Sequence, residues 1–146
     1  MKKVLTVCAA NVCRSPMAEG ILRHLMEKRG LPDIQVASMG LSVLEEGGGA
    51  SVYAVEALDE IGIDISGHRS RKAISEELLE ADRVYVMTDQ HKDVILDALP
   101  ELEPRVRVLE IPDPFHQGME AYRSCRDAML DYFERELDSF LEGDES

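Results

Sequence analysis

The 146-residue chain is predicted to fold as one α/β domain, with helices on both faces of a four-stranded parallel sheet and a functional loop after strand 1. Short apolar runs alternate with longer segments that repeat apolar residues every three or four positions, as strands and crossover helices do. The chain is long enough for a substantial core, and no Pro-, Gly- or Ser-rich linker or internal repeat divides it. We therefore assign residues 1–146 to one domain, with an acidic tail expected to fray over residues 139–146.

The predicted elements alternate along the chain, as a parallel sheet with right-handed crossovers requires. Strands are expected at residues 3–7, 34–38, 83–87 and 105–109. Helices are expected at residues 16–29, 51–61, 75–81, 89–98 and 117–141. The last helix has a strong amphipathic pattern, in which Met129, Phe133 and Leu137 fall on one face.

The segment between the first strand and the first helix carries the strongest functional signal. Cys8 follows the apolar run, Arg14 comes six positions later, and Ala9, Ala10, Asn11, Val12 and Cys13 lie between them. Loop N–H groups and a helix N-terminus at the carboxyl edge of a sheet form an anion site, and an arginine can hold two phosphate oxygens. This positive field favours the thiolate form of Cys8. A nucleophile facing a bound phosphate predicts a phosphatase.

The context of this Cys-x5-Arg spacing makes it specific. An isolated cysteine at a strand end is usually a small core residue. Here Ser15 is predicted as the helix N-cap and Pro16 fits the first helical turn, where a missing N–H costs nothing.

Four segments, in order, resemble motifs of the low-molecular-weight protein tyrosine phosphatase family, which includes a protein arginine phosphatase branch. They are Val7 to Glu19, Ser38-Met39-Gly40, residues 62–71 and Asp113-Pro114-Phe115. The resemblance covers almost the whole chain. It implies a cysteine-dependent phosphatase that acts through a phosphocysteine intermediate and binds phosphate or a related oxyanion without a cofactor.

The resemblance also assigns the catalytic residues. Cys8 would attack phosphorus, Arg14 and the loop amides would hold the phosphate oxygens, and Asp113 would protonate the leaving group. Asp113 lies between two prolines that stiffen its loop. Without the resemblance, an aspartate before a proline would be interpreted as a turn former.

Supporting roles follow from the same resemblance. Ser15 would stabilise the thiolate, while Asn11, Ser38 and His68 would hold the loop in shape. Cys8 and Cys13 would form a reversible disulfide on oxidation. The substrate pocket would include Phe115 and His116, where the family has two aromatic residues.

Besides His116, one position departs from the family pattern and another separates its two branches. Ala10 replaces a frequent glycine, so we expect an ordinary φ there or a slightly strained loop. Val12 stands where arginine phosphatases carry threonine and tyrosine phosphatases usually carry isoleucine. Because valine lacks the hydroxyl that would orient an attacking water, we predict phosphotyrosine as the substrate. Residues 87–92 and Asp113-Pro114-Phe115, however, look more like the arginine phosphatase branch, which remains the alternative.

Two further functions are weighed against a phosphatase. A thiol-dependent arsenate reductase would need a pair of downstream cysteines, and the sequence offers only Cys125, which we expect to be buried packing. A non-catalytic phosphate-binding module could have lost the nucleophile or the acid, yet both are present.

The composition limits the partners and the location. A net charge of −13 argues against nucleic acid, so the site must be a local positive spot, with Arg14, Arg69 and Arg71 as candidates. The odd number of cysteines argues against a disulfide scaffold, and no Cys/His cluster has metal-ligand spacing. Without a membrane-spanning or signal-like run, we expect a cytoplasmic protein that does not bind membranes and acts on phosphorylated proteins. No long apolar edge or heptad seam is visible in the sequence, so we expect a monomer.

Overall fold

The computed structural model describes residues 3–31, 33–43 and 46–141, the last three of these by their backbone alone. Over these residues the chain forms four strands and five α-helices. The strands are β1 (Lys3–Cys8), β2 (Gln35–Gly40), β3 (Arg83–Val86) and β4 (Val106–Val108). The helices are α1 (Arg14–Lys28), α2 (Val52–Asp59), α3 (Ser75–Glu80), α4 (Asp89–Ala98) and α5 (Met119–Leu141), and a 3₁₀ helix occupies Pro100–Arg105.

The sheet has the strand order β2-β1-β3-β4, and every neighbouring pair is parallel. Alternate residues of β1 therefore face opposite layers of the core. Val4 and Cys8 join a cluster built with α1, α2 and α5, whereas Leu5 and Val7 join a second cluster with α3, α4 and the 3₁₀ helix. The predicted parallel sheet with helices on both faces is confirmed.

Several predicted boundaries shift by a few residues for local reasons. β2 continues to Gly40 because this residue pairs with Cys8 and bridges to Lys72. α5 begins at Met119 because Gly118 has a φ of +88°, outside the helical region. The same helix runs to Leu141, and residues 142–146 of the predicted acidic tail lie outside the described residues.

The helix start at the loop exit differs from the prediction. α1 begins at Arg14, its N-cap is Cys13, and no side chain caps it, so Ser15 is not the N-cap. The Ser15 hydroxyl instead faces the loop, where it contacts Cys8 and Asn11.

Within the described part of the chain, no helix is both long and apolar enough to cross a bilayer.

Gly40 brings the end of β2 against the loop. A Cβ atom at this position would lie 2.6 Å from Cγ2 of Val43 and 2.7 Å from the carbonyl oxygen of Ala9. We expect Gly40→Ala to lower the free energy of unfolding by about 1–3 kcal/mol, the usual cost of overpacking. Urea denaturation checks this value. Gly67→Ala is the matched control, since a Cβ there meets nothing within 4 Å. Equal losses in the two variants would contradict the close approach at Gly40.

Candidate active site

A cavity of about 260 Å³ opens at the carboxyl end of β1, where the sheet geometry predicts a ligand site. The loop between β1 and α1 forms its floor, and the segment after β4 forms one wall. The lining residues are Cys8, Ala9, Ala10, Val12, Cys13, Arg14, Asp113 and Phe115. The three predicted catalytic residues therefore line one cavity, although Asp113 is distant in sequence from the other two.

The Cys8 thiol has a hydrogen-bond partner suited to a thiolate. Its Sγ lies 3.0 Å from Oγ of Ser15, and both side chains are buried. Asn11 donates from Nδ2 to the same Ser15 oxygen at 2.7 Å. Because Asn11 donates a hydrogen bond to that oxygen, the Ser15 hydroxyl is free to donate its own hydrogen bond to the sulfur.

Asn11 is the point where the loop reverses direction. Its φ of +59° lies in the left-handed region, which asparagine tolerates better than most residues. Ala10 is not among the residues with positive φ, so the expected ordinary φ there is confirmed. The carbonyl oxygen of Asn11 accepts hydrogen bonds from Nε2 of His68 at 2.8 Å and Oγ of Ser70 at 2.9 Å.

The Asn11 side chain continues the network below the loop. Its Oδ1 accepts from the Arg71 backbone N–H at 3.0 Å, and its Nδ2 donates to Oγ of Ser38 at 3.0 Å. Ser38 in turn donates to Oε1 of Glu19 at 2.6 Å. The structure thus places the predicted support residues Asn11, Ser15, Ser38 and His68 around one hub.

Three members of this network, Glu19, Ser70 and Arg71, were missed as supports in the sequence. Ser70 and Arg71 lie inside the block of residues 62–71 that resembles the family, which was the available signal. Glu19 follows Ser15 by four residues on α1, a spacing that places both on one helix face.

Arg14 is the cation of the cavity. Its side chain is buried; Nη1 donates to the carbonyl oxygen of Ile111 at 2.8 Å, and Nη2 lies 4.0 Å from Oδ2 of Asp113. The other two candidate arginines lie elsewhere. Arg71 forms a bidentate ion pair with Glu77 at 2.8 and 2.9 Å, and Arg69 donates to the carbonyl oxygen of His68. Neither lines the cavity, so Arg69 and Arg71 were wrong as candidates for the positive spot and Arg14 alone of the three belongs to it.

Asp113 occupies an exposed loop that is held in place by backbone contacts. The Ile111 N–H donates to the Met87 carbonyl at 2.8 Å, at the end of β3. The carboxylate of Asp113 accepts the Phe115 N–H at 3.1 Å, which fixes its direction within the turn. With a solvent-accessible carboxyl group beside the cavity, the loop can deliver a proton to a bound leaving group.

Only one of the two predicted pocket residues lines the cavity. Phe115 lines the cavity, whereas His116 has a φ of +65° and contributes to a neighbouring groove. Their rings pack with centroids 4.0 Å apart. The cavity therefore has one aromatic wall, as the substitution of histidine for a second aromatic residue implies.

The other cysteines are poorer nucleophiles. Burial raises the pKa of Cys13, whose Sγ lies 3.3 Å from the Tyr122 hydroxyl. Burial also raises the pKa of Cys125 to about 11, and its thiol donates to the Pro112 carbonyl at 3.4 Å. All three cysteines are free, and the expectation that Cys125 is buried is confirmed. Among the described residues, no three His, Cys, Asp or Glu side chains converge as metal ligands would.

His91 lies beside this site without a role in it. The side chain is buried in the first turn of α4, and no described group forms a hydrogen bond with its Nδ1. Burial lowers the pKa of His91, and the charge of Arg14 lowers it further, while Asp113 acts in the opposite direction.

Comparison with known proteins identifies relatives over nearly the full chain. The family model described as low molecular weight phosphotyrosine protein phosphatase matches residues 3–143. A protein-arginine-phosphatase of Geobacillus stearothermophilus is 37% identical, over 91% of this chain and 92% of the relative. The low molecular weight protein-tyrosine-phosphatase Wzb of Salmonella typhi is 33% identical, over 84% of this chain and 83% of the relative.

Solved structures of such proteins are similar in fold. The YwlE arginine phosphatase from Geobacillus stearothermophilus superposes with a TM-score of 0.86 at 34% identity, covering 97% of this chain and 94% of that one. The low molecular weight protein tyrosine phosphatase from T. tengcongensis gives 0.88 at 32% identity, covering 95% and 99%.

We predict that His91 makes stability depend on pH. Its lowered pKa means that, below its ordinary value of about 6.5, the unfolded chain gains a proton that the folded chain does not. The free energy of unfolding therefore falls as the pH drops from there towards the lowered pKa, by at most about 1.4 kcal/mol per pH unit.

The measurement compares urea denaturation of the wild type and His91→Gln at about pH 7.5 and about pH 5.5. We expect the wild type to lose more stability than the variant, which retains a polar but uncharged side chain. The same loss in both proteins would show that His91 does not carry this pH dependence.

Proposed function

The chain belongs to the low molecular weight phosphotyrosine protein phosphatase family, and on that premise we propose that it hydrolyses phosphotyrosine in proteins through a phosphocysteine intermediate. The observation that carries this proposal is the shared cavity: a buried thiol and a buried guanidinium line it together with an accessible carboxyl group. These are the nucleophile, the phosphate clamp and the proton donor that the reaction needs.

In the first step, the Cys8 thiolate attacks phosphorus while the bond from phosphorus to the tyrosyl oxygen breaks. Asp113, in its acid form, gives a proton to the departing oxygen. The loop amides and Arg14 hold the three equatorial oxygens as their charge redistributes. The Ile111 carbonyl fixes the guanidinium, so the clamp is oriented before the phosphate arrives.

In the second step, water attacks the phosphocysteine and the Asp113 carboxylate accepts its proton. The bond between sulfur and phosphorus breaks, phosphate leaves and the Cys8 thiolate is restored. The Ser15 hydroxyl, 3.0 Å from the sulfur, stabilises the leaving thiolate. A related YwlE arginine phosphatase structure is described as a mutant with a phosphorylated active site serine, which supports a covalent intermediate in this family.

The substrate assignment rests on the walls of the cavity. Val12 and Phe115 offer apolar surface to an aryl ring, and Val12 lacks a hydroxyl to position water. Phosphoarginine is the second candidate, because two relatives named protein-arginine-phosphatase are 37% and 35% identical to this chain. For either substrate, we propose that the protein acts as a monomer in the cytoplasm.

Replacement of the nucleophile tests the central step. We expect Cys8→Ser to abolish hydrolysis of p-nitrophenyl phosphate while retaining phosphate or vanadate binding, since the loop amides and Arg14 remain. Turnover is followed by absorbance and binding by calorimetry. Cys125→Ser is the matched control and should retain turnover, because this thiol lies outside the catalytic cavity. If Cys8→Ser kept more than a trace of activity, Cys8 would not be the nucleophile.

Replacement of the acid should depend on the leaving group. Asp113→Asn should slow hydrolysis of phenyl phosphate by about 10²–10⁴, since phenoxide needs a proton to depart. The loss should be much smaller for p-nitrophenyl phosphate, whose leaving group is stable as an anion. Steady-state kcat/KM on both substrates measures the difference, because it reports on departure of the leaving group and not on the later hydrolysis of phosphocysteine, which both substrates share. Equal losses would assign Asp113 a structural role.

A substitution at Val12 tests the choice between the two substrates. Val12→Thr replaces a methyl with a hydroxyl at nearly constant volume. We expect it to raise the ratio of phosphoarginine to phosphotyrosine peptide turnover, because the hydroxyl can orient the attacking water. The ratio of kcat/KM values for wild type and variant gives the answer. A wild type that already prefers phosphoarginine, or an unchanged ratio, would reject the tyrosine assignment.

A further inference from the structure

An exposed apolar groove adjoins the catalytic cavity. Its lining residues are Ser51, Val52, Tyr53, Phe115, His116 and Tyr122. Val52 is 71% exposed, Tyr53 47% and Phe115 52%, and these are three of the six large apolar side chains found exposed in the described part of the chain. Apolar side chains concentrated at one place on a surface are typical of interaction sites.

The groove has a fixed floor. Tyr122 is buried, and Tyr53 packs edge-to-face on it with ring centroids 5.5 Å apart. The Tyr122 hydroxyl accepts a hydrogen bond from Oγ of Ser51 at 3.2 Å and lies 3.3 Å from Sγ of Cys13. The groove is therefore anchored to the phosphate loop, and a preformed surface loses little conformational entropy when it binds a ligand.

The groove is also continuous with the cavity. Phe115 lines both of them, so the groove begins beside the cavity that would hold the phosphoresidue. A polypeptide with its phosphoresidue in the cavity must lay the adjacent residues on the surface around the cavity mouth. None of the six lining residues carries a carboxylate, ammonium or guanidinium group.

We propose that this groove binds the residue next to the phosphoresidue of a polypeptide substrate and selects an apolar side chain there. The inference rests on the proposed function, since it assigns the groove to the same substrate chain. An apolar side chain removes the exposed surfaces of Val52 and Tyr53 from water. A charged side chain would lose its hydration without gaining a partner.

The experiment uses phosphopeptides that carry the phosphoresidue that wild type turns over faster. Within each pair, leucine or glutamate occupies the position just before or just after the phosphoresidue. We expect wild type to prefer leucine at one of these positions by about tenfold in kcat/KM, the usual selectivity of an apolar pocket. In Val52→Ser and Tyr53→Ser the preference should fall to about twofold or less.

Val94→Ser is the matched control, because Val94 is also exposed, at 54%, but lies on α4 outside the groove. It should retain the wild-type preference. Turnover of p-nitrophenyl phosphate should be the same in all four proteins, since this substrate has no flanking residue. Val52→Ser serves if Tyr53→Ser fails to fold.

The outcomes separate the two proposals. Loss of the leucine preference in Val52→Ser with unchanged p-nitrophenyl phosphate turnover supports the groove. A wild type without the preference, or a preference that survives in Val52→Ser, overturns it. Failure of the wild type to hydrolyse p-nitrophenyl phosphate would instead reject the phosphatase function itself.

Discussion

The hydrogen bonds of Asn11 determine the shape of the phosphate loop. Five residues turn back between a strand and a helix, and Asn11 adopts a left-handed φ of +59° within that path. The amide side chain then acts in two directions, accepting the Arg71 N–H and donating to Ser15 and Ser38. Because a buried polar group without a partner costs about 1–3 kcal/mol, a fully bonded Asn11 favours this one conformation.

The same network contacts the proposed nucleophile. Asn11 donates to Ser15, and Ser15 faces the Cys8 sulfur, so the loop's structural hub also orients the proton nearest the thiolate. On the other side of the cavity, Arg14 joins the phosphate loop to the acid loop through Ile111. The proposed nucleophile and the proposed acid are thus positioned by two sets of hydrogen bonds that meet at the chain neighbours Arg14 and Ser15, although the two groups lie on segments about a hundred residues apart in the chain.

Much of this arrangement could be predicted from the sequence. The alternation of apolar runs and amphipathic segments was sufficient for the parallel sheet, and the Cys-x5-Arg spacing identified the loop. The resemblance to a known family supplied Asp113, which local pattern alone would have assigned to a turn. The prediction that Ser15 caps α1 was wrong. A serine before a proline is typical of an N-cap, but here the hydroxyl contacts Cys8 and Asn11 in the loop instead.

Long-range partners could not be predicted in this way. The contacts of Tyr122 with Cys13 and Ser51 join residues whose sequence separation carries no periodic signal. Nδ1 of His91 has no hydrogen-bond partner among the described residues, which depends on how α4 packs against its neighbours and is not encoded in local patterns.

Charge distribution explains how a strongly acidic protein can receive a phosphate. Several of its arginines form ion pairs with neighbouring carboxylates: Arg71 with Glu77, and both Arg123 and Arg126 with Glu60. Arg14 differs, because its carboxylate neighbour stands 4.0 Å away on an exposed loop and its nearest bonded partner is a neutral carbonyl. Its charge therefore remains directed at the cavity, where low surrounding polarity strengthens it. The acidic exterior leaves that attraction intact at short range, since solvent screening weakens distant surface charges much more than a buried contact.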